Sequence, residues 1–351
     1  VFHFHVWKVL WGKTWGKRAL PDFSYDDIVI DLAPGKETWV CTDLGAFQKP
    51  VQHFEGLTGV VIMEDRFPEF FLSYDGYKAT DDAKLNRHGP LAAHRTHEDL
   101  KALVATLHGR GIKVVYGFWN HMGWKFQSWR LPRWFQLHPE ITRVPGTSDI
   151  HPLAFLNKEQ MSYAAYIGHQ YEKLAYDFDF DGLFLGDGFS GYRTIANPDR
   201  FRDKKDTAGE WHKLYETISR AVHKTGGMLF AYDCLGFSYE EAILHGADYR
   251  LLSDAGLDYL VFQSYPQAWG EYWLWRYRDR FNLRTHSENL KTVKAALEGT
   301  TTKLLYTVEL GDRVEGWAAQ KEKTYLQIES HDPFADGRFF VWANDLLSRK
   351  K

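Results

Sequence analysis

Eight short apolar runs, each closing on a polar residue and most followed by an amphipathic stretch, constrain this chain more than any other feature. The runs are Glu37–Thr42, Thr58–Met63, Ile112–Phe118, Gly182–Leu185, Gly227–Tyr232, Leu257–Phe262, Thr302–Val308 and Gly337–Val341. They are short and mostly apolar, and Gly182–Leu185 in particular reads as a strand buried on both faces, the kind found in parallel sheets. Helices are expected at His97–His108, Gln160–Tyr176, Gly209–Lys224, Ser238–Leu244 and Ser287–Leu297. In the second of these, Tyr163, Tyr166, Ile167, Gln170, Tyr171 and Leu174 recur at helical spacing and turn one face to the sheet. Glu98 and Asp99 suit a first helical turn, and Gly109 or Gly111 suits the end of that helix. Eight strand-helix units with right-handed crossovers close into an α/β fold of the (β/α)8 TIM-barrel type. A doubly wound open sheet is the alternative. No Gly-x-Gly-x-x-Gly opens the first helix, which disfavours its dinucleotide-binding form.

The domain plan follows from where this grammar begins. Residues 1–36 fit no clean period apart from the alternating Phe2-His3-Phe4-His5-Val6, and are expected to form a strand or hairpin packed on the barrel. Residues 37–351 then make a single catalytic barrel with long insertions in its βα loops. Met122–Asn157, Tyr192–Thr207 and Pro266–Thr285 lack periodicity and are expected to be excursions over the catalytic face. His3 and His5 would share a strand face, but no third ligand is nearby, so no metal site and no cofactor is expected.

Composition narrows the partners. A formal net charge of −3 and a pI near 6.6, with no basic run, argue against nucleic acid. No run of about 18 apolar residues exists, so no membrane-spanning helix is expected. The two cysteines, Cys41 and Cys234, imply buried thiols and no disulfide framework. The chain begins at Val1 without a signal-like apolar core, which reads as a trimmed end; localisation stays open, with secretion favoured if the substrate is a polymer. Oligomeric state is not readable. Aromatic residues make up 16% of the chain and include 14 Trp, more than a core of this size needs, so some rings should face a ligand. Sugar rings are natural guests for exposed indoles, and a poly- or oligosaccharide is the expected partner.

In a barrel of this kind the chemistry sits where strands end. The residues there are Asp43, Glu64-Asp65-Arg66, Trp119-Asn120-His121, Asp187, Asp233, Gln263-Ser264-Tyr265, Glu309 and Trp342-Ala343-Asn344. The chain has no serine in a nucleophile elbow, no cysteine-histidine pairing suggested by spacing, no paired-histidine metal motif and no phosphate-cradling loop. Carboxylates therefore carry the expected chemistry, and glycosidic cleavage requires two of them across a pocket, one protonated and one ionised. Asp187 lies between Gly186 and Gly188, which leave room for a ligand, and is the expected nucleophile. Glu309 and Asp233 both follow clean apolar strands, and either could supply the proton. Asn120 and His121 would contact sugar hydroxyls. Glu64 and Asp65 precede Arg66, which could pair with them. Trp124, Trp269, Tyr265, Trp119, Trp342, Asn344 and Asp43 complete the expected substrate-binding set.

From Ile112 to Asp187 the chain resembles barrel glycoside hydrolases, on Trp119-Asn120-His121, His138-Pro139-Glu140, Leu156-Asn157, a long Tyr-rich helix and Phe180-Asp181-Gly182-Leu183-Phe184-Leu185-Gly186-Asp187-Gly188. The resemblance is to the α-amylase superfamily and to the dextranases of glycoside hydrolase family 66. It implies a retaining glycosidase acting on a glucan-type substrate, with Asn120 and His121 beside the nucleophile Asp187. Two departures stand out. Gly186 shifts Asp187 by one residue, and Gln263 stands where dextranase-like proteins carry the acid Glu. Gln263 is thus either a natural departure, leaving Glu309 or Asp233 as the acid, or an introduced inactivating change; the alternative reading is a non-catalytic carbohydrate-binding barrel. The strand-four Asn-Glu of the β-glycosidase clan is absent, although that clan's strand-seven Glu would fall at Glu309.

Overall fold

The computed structural model describes residues 34–43, 56–64, 97–118, 163–186, 204–233, 236–244, 246–273, 278–310 and 317–342. Most of the expected N-terminal extension, the Met122–Asn157 excursion and Cys234 lie outside them. The strands are β1 (Glu37–Asp43), β2 (Gly59–Glu64), β3 (Lys113–Phe118), β4 (Gly182–Leu185), β5 (Met228–Tyr232), β6 (Tyr259–Phe262), β7 (Lys303–Leu310) and β8 (Gly337–Trp342). They pair in sequence order, all parallel, and β8 returns to β1, which closes a (β/α)8 TIM barrel.

Around the barrel run α1 (His97–His108), α2 (Tyr163–Phe178), α3 (Lys204–Lys224), α4 (Tyr239–Leu244), α5 (Tyr249–Asp254), α6 (Leu283–Leu297) and α7 (Trp317–His331), with a π-helix at Pro266–Trp273. Three of these were not expected from the sequence. The α5 helix is a single short segment whose start is marked only by its cap, Asp248, which accepts the N–H groups of Arg250 and Leu251. The π-helix replaces the first part of the excursion expected after Pro266. The α7 helix escapes apolar periodicity because the face it buries carries Thr324, Gln327 and His331 beside Ile328. In addition, α3 starts at Lys204 and α6 at Leu283, where Asn282 caps the first turn by accepting the Thr285 N–H at 2.9 Å.

Strand alternation sorts the core into two layers. Val40, Val60, Ile62, Val114, Leu183, Leu185, Leu229, Leu260, Leu304 and Val308 pack outward with the helices. Trp39, Cys41, Val61, Val115, Phe184, Phe230, Tyr232, Tyr259, Val261, Leu305 and Phe339 form a separate cluster containing no helix residue, the filled barrel interior. Phe230 and Tyr259 stack there with centroids 4.2 Å apart, and Trp39 meets both rings edge-on. Gly59 is the counterpart of this crowding: a Cβ there would sit 2.2 Å from the Trp39 ring.

The opposite end of the barrel from the strand termini is braced by one device used four times. The residue just before each even strand, Thr58, Asp181, Asp258 or Asp336, donates its N–H to the preceding odd strand, at Thr38, Val114, Leu229 and Leu304. Its carbonyl receives an N–H from the next odd strand, at Lys113, Met228, Lys303 and Glu37. Its side chain then accepts the N–H of the same odd-strand residue, at 3.0, 2.7, 2.7 and 2.8 Å in that order. Where the brace is an Asp, a basic residue from the helix before the odd strand joins it: His108 and His223 at 2.8 Å, Lys294 at 2.7 Å. Burial alone would raise the Asp336 carboxyl, but Lys294 and the Leu304 N–H outweigh it and hold Asp336 below its ordinary range. Asp336→Ala is expected to cost about 1–3 kcal/mol, since the half-buried Leu304 N–H loses its acceptor. Denaturant unfolding measures this, and a change inside experimental error would remove the brace from the account.

Candidate active site at the C-terminal mouth

Of the sequence-predicted site residues, Asp65, Trp119, Asn120, His121, Trp124, Asp187 and Asn344 lie outside the described residues. Asp43, Glu64 and Trp342 are the last residues of β1, β2 and β8, and their side chains also lie outside the description. Residue Gly186 is the last described residue after β4. The described part of the mouth is therefore the arc over β5, β6 and β7, where Asp233, Gln263, Tyr265, Trp269 and Glu309 come together.

Glu309 lies near the end of β7 and, four residues beyond Leu305, falls on the row that faces the barrel interior. It is buried, and its Oε2 accepts the Gln267 N–H at 3.0 Å. Gln267 belongs to the π-helix, so the turn that follows β6 aims a backbone dipole at the β7 carboxylate. Its own side chain is buried, and its Oε1 has no hydrogen-bond partner among the described residues. π-Helical turns recur at functional sites because the extra residue re-aims side chains. Here the turn carries Trp269, whose ring lies 4.7 Å from that of Tyr265 and meets Phe281 edge-on at 5.5 Å. The Tyr265 hydroxyl in turn contacts that of Tyr232 at 3.1 Å, linking these rings to the interior of β5.

Asp233 is wholly buried one residue past β5. Its Oδ1 accepts the Gln263 N–H at 2.8 Å, and its Oδ2 accepts the Gly236 N–H at 3.1 Å. The Asp233 carbonyl accepts Gln263 Nε2 at 3.0 Å. The two side chains thus lock the end of β5 to the end of β6, and the turn at Gly236 is tight: its φ is +66°, and a Cβ there would stand 2.3 Å from the Gln263 carbonyl oxygen. An amide suits position 263 because it donates to a carbonyl; an ionised glutamate at the same place could only repel it.

Behind this arc lies a buried polar cluster that the sequence reading missed. Ser264 Oγ contacts His286 Nδ1 at 3.1 Å and His331 Nε2 at 2.9 Å, and accepts Gln327 Nε2 at 3.2 Å. Burial pushes His286 down to about 3, with His331 adding to the effect, and pushes His331 down to about 4 against the opposing pulls of the Ser330 backbone and Asp332. The histidines are neutral inside the fold. Among the described residues His286 Nε2 and His331 Nδ1 have no hydrogen-bond partner. The available signal was the polar stripe Thr324, Gln327, His331, whose spacing of three and four places it on one face of α7. Among the described residues no group of three or more His, Cys, Asp or Glu could hold a metal ion. Among them, too, no helix is long and apolar enough to cross a membrane.

No family model matches the sequence, and no curated protein matches it. Solved structures do. The chain is similar to the hyperthermostable endo-1,4-beta-D-mannanase from Thermotoga petrophila RKU-1, with a TM-score of 0.51 and 11% identity over 88% of each chain. It also matches a GH5_18 protein from Streptomyces cattleya, with a TM-score of 0.49 and 14% identity over 88% of this chain and 70% of that one. A phosphoenolpyruvate phosphomutase from Streptomyces platensis subsp. rosaceus matches with a TM-score of 0.39 and 12% identity over 90% and 78%. At such identity the likeness to the mannanase establishes the barrel fold, and a barrel hosts many chemistries.

Proposed function

We propose that the chain is a glycoside hydrolase acting on a glucan-type poly- or oligosaccharide, with Asp187 and Glu309 as its two carboxyl groups. The observation that carries this reading is Glu309 itself. It is a buried carboxylate on the interior-facing row at the mouth of β7, held by the Gln267 N–H from a turn that also presents Trp269 and Tyr265. Asp187, two residues beyond β4 in the chain, is the partner that the Phe180–Gly188 resemblance supports. Asp233 is the weaker candidate for the proton, because its two oxygens already receive backbone N–H groups from Gln263 and Gly236. In a retaining mechanism Asp187 attacks the anomeric carbon while the second carboxyl protonates the departing oxygen, then draws a proton from water to release the glycosyl-enzyme. The aromatic pair offers a sugar platform. The mannanase likeness adds β-mannan to the substrates worth testing.

Reducing-sugar release from a panel of α-glucans, β-glucans, mannan and chitin oligosaccharides tests the reading. Release from at least one, abolished by change at Asp187 or Glu309, is expected; binding without release would leave only the carbohydrate-binding alternative. That alternative draws on Gln263 as a disabled acid. The hydrogen bond from Gln263 Nε2 to the Asp233 carbonyl favours instead a fixture that holds two strand ends. Gln263→Glu is therefore expected to lower the unfolding free energy by about 1–3 kcal/mol and to leave turnover no higher than in the parent. A rise of tenfold or more in turnover would restore Gln263 to the catalytic acid's place.

A further inference from the structure

We propose that Gln327 is a positioning residue that sets where Glu309 stands at the barrel mouth, a role resting on Glu309 as one of the two reacting carboxyls. The reason lies in how the sheet ends. The last pairing between β6 and β7 joins Phe262 to Tyr306, after which the chain leaves the sheet for the π-helix. On the other side β7 continues with β8 as far as Leu310 and Trp342. The final residues of β7 therefore have a strand neighbour on one side only, and their backbone groups on the β6 side need other partners.

α7 provides them with side chains. Gln327 Oε1 accepts the Glu309 N–H at 3.0 Å, while its Nε2 donates to the Thr307 and Ser264 carbonyls, each at 3.0 Å. One turn earlier Thr324 donates its hydroxyl to the Glu309 carbonyl at 3.0 Å. An amide is needed at 327 because one group must accept from an N–H and donate to carbonyls at once. Both residues are buried, Gln327 to 1% and Thr324 to 0% exposure, so water cannot take their place. Since Ser264 also lies two residues before Pro266, the same amide ties the β7 carboxylate to the root of the turn whose Gln267 N–H holds Glu309 Oε2. Backbone and carboxylate are thereby referred to one frame.

The test compares Gln327→Met, which keeps length and loses all four hydrogen bonds of the amide, with Asp336→Ala, which weakens the far end of the same strand. On whichever sugar the parent cleaves, Gln327→Met is expected to reduce kcat about a hundredfold with KM within about threefold, and Asp336→Ala to keep kcat within about threefold. The second readout needs no activity. In protein carrying 13C-labelled glutamate, with the Glu309 signal identified by Glu309→Gln, its titration midpoint should move by about one pH unit in Gln327→Met and stay in place in Asp336→Ala. An unmoved midpoint overturns the proposal whatever the kinetics. If the parent cleaves nothing, the glycosidase reading fails while the midpoint still decides the positioning role. Should Gln327→Met not fold, Thr324→Val removes only the hydroxyl that holds the Glu309 carbonyl; a displaced midpoint supports the role, and an unmoved one overturns it.

Discussion

Glu309→Gln should lower turnover by on the order of a thousandfold or more while the variant folds as the parent does, because it keeps the side chain's shape and removes both its charge and its proton. The Gln267 N–H, which meets Glu309 Oε2 at 3.0 Å, can still be accepted by an amide oxygen, so the turn that carries Trp269 need not rearrange. Asp187→Asn should cost as much, and the double variant little more than either single one, as expected for groups that act as a unit. Turnover within about tenfold of the parent for either single change takes that residue out of the reaction. The two changes also separate roles. With a substrate whose leaving group needs no protonation, the variant lacking the acid should recover most of its first step, whereas the variant lacking the nucleophile should not.

Acidification is the second large effect. Between pH 6.5 and pH 5 the fold should lose about 2 kcal/mol for each of His286 and His331, which is a large part of the 5–15 kcal/mol that holds a typical domain together. The sign follows from proton uptake. Both imidazoles are held at about 3 and about 4 in the folded chain, while unfolding returns them to an ordinary value near 6.5. The unfolded state therefore takes up protons first as pH falls, and stability declines from about 6.5 downward until the folded values are reached. His286 faces Phe262 and Phe281 and touches Ser264; His331 faces Tyr306 and Ser264, with Asp332 next in the chain. Of these only Asp332 is charged, and it is engaged by Arg338 and by the Tyr306 hydroxyl. Unfolding free energy measured across pH in the parent and in a His286→Asn, His331→Gln double variant should give a steep slope in the first and a shallow one in the second. Equal slopes between pH 6.5 and pH 5 would place the acid sensitivity elsewhere.

Much of the barrel was legible in the chain because parallel strands, buried on both faces, are written as short, mostly apolar runs. All eight expected strands are present, and their bounds differ from the expected ones by at most two residues. Helices were legible only where the buried face was apolar. The Ile167, Tyr171 and Leu174 stripe of α2 is buried as expected, and α1 runs His97–His108 with Gly111 at a φ of +72° just after it. α7 has the same architecture and gave no such signal, since it buries Thr324, Gln327 and His331 to fasten the end of β7 and the Ser264 turn. The missing hydrophobic period and the polar cluster have one cause.

The site divides along the same line. Alternating inward and outward positions along β7 follow from the pleat, so the sequence by itself determined the barrel and put Glu309 near a strand terminus at the barrel mouth. It could not rank Glu309 against Asp233, which stand in equivalent places in the chain. Only the tertiary structure decided what each carboxylate meets: Asp233 is spent on the N–H groups of Gln263 and Gly236, whereas Glu309 receives the Gln267 N–H and has its backbone braced by Gln327 and Thr324. The physical reason is range. A strand declares itself through neighbours two residues away, while a hydrogen bond such as that from Gln263 to Asp233 joins residues thirty positions apart, and nothing local in either segment encodes it.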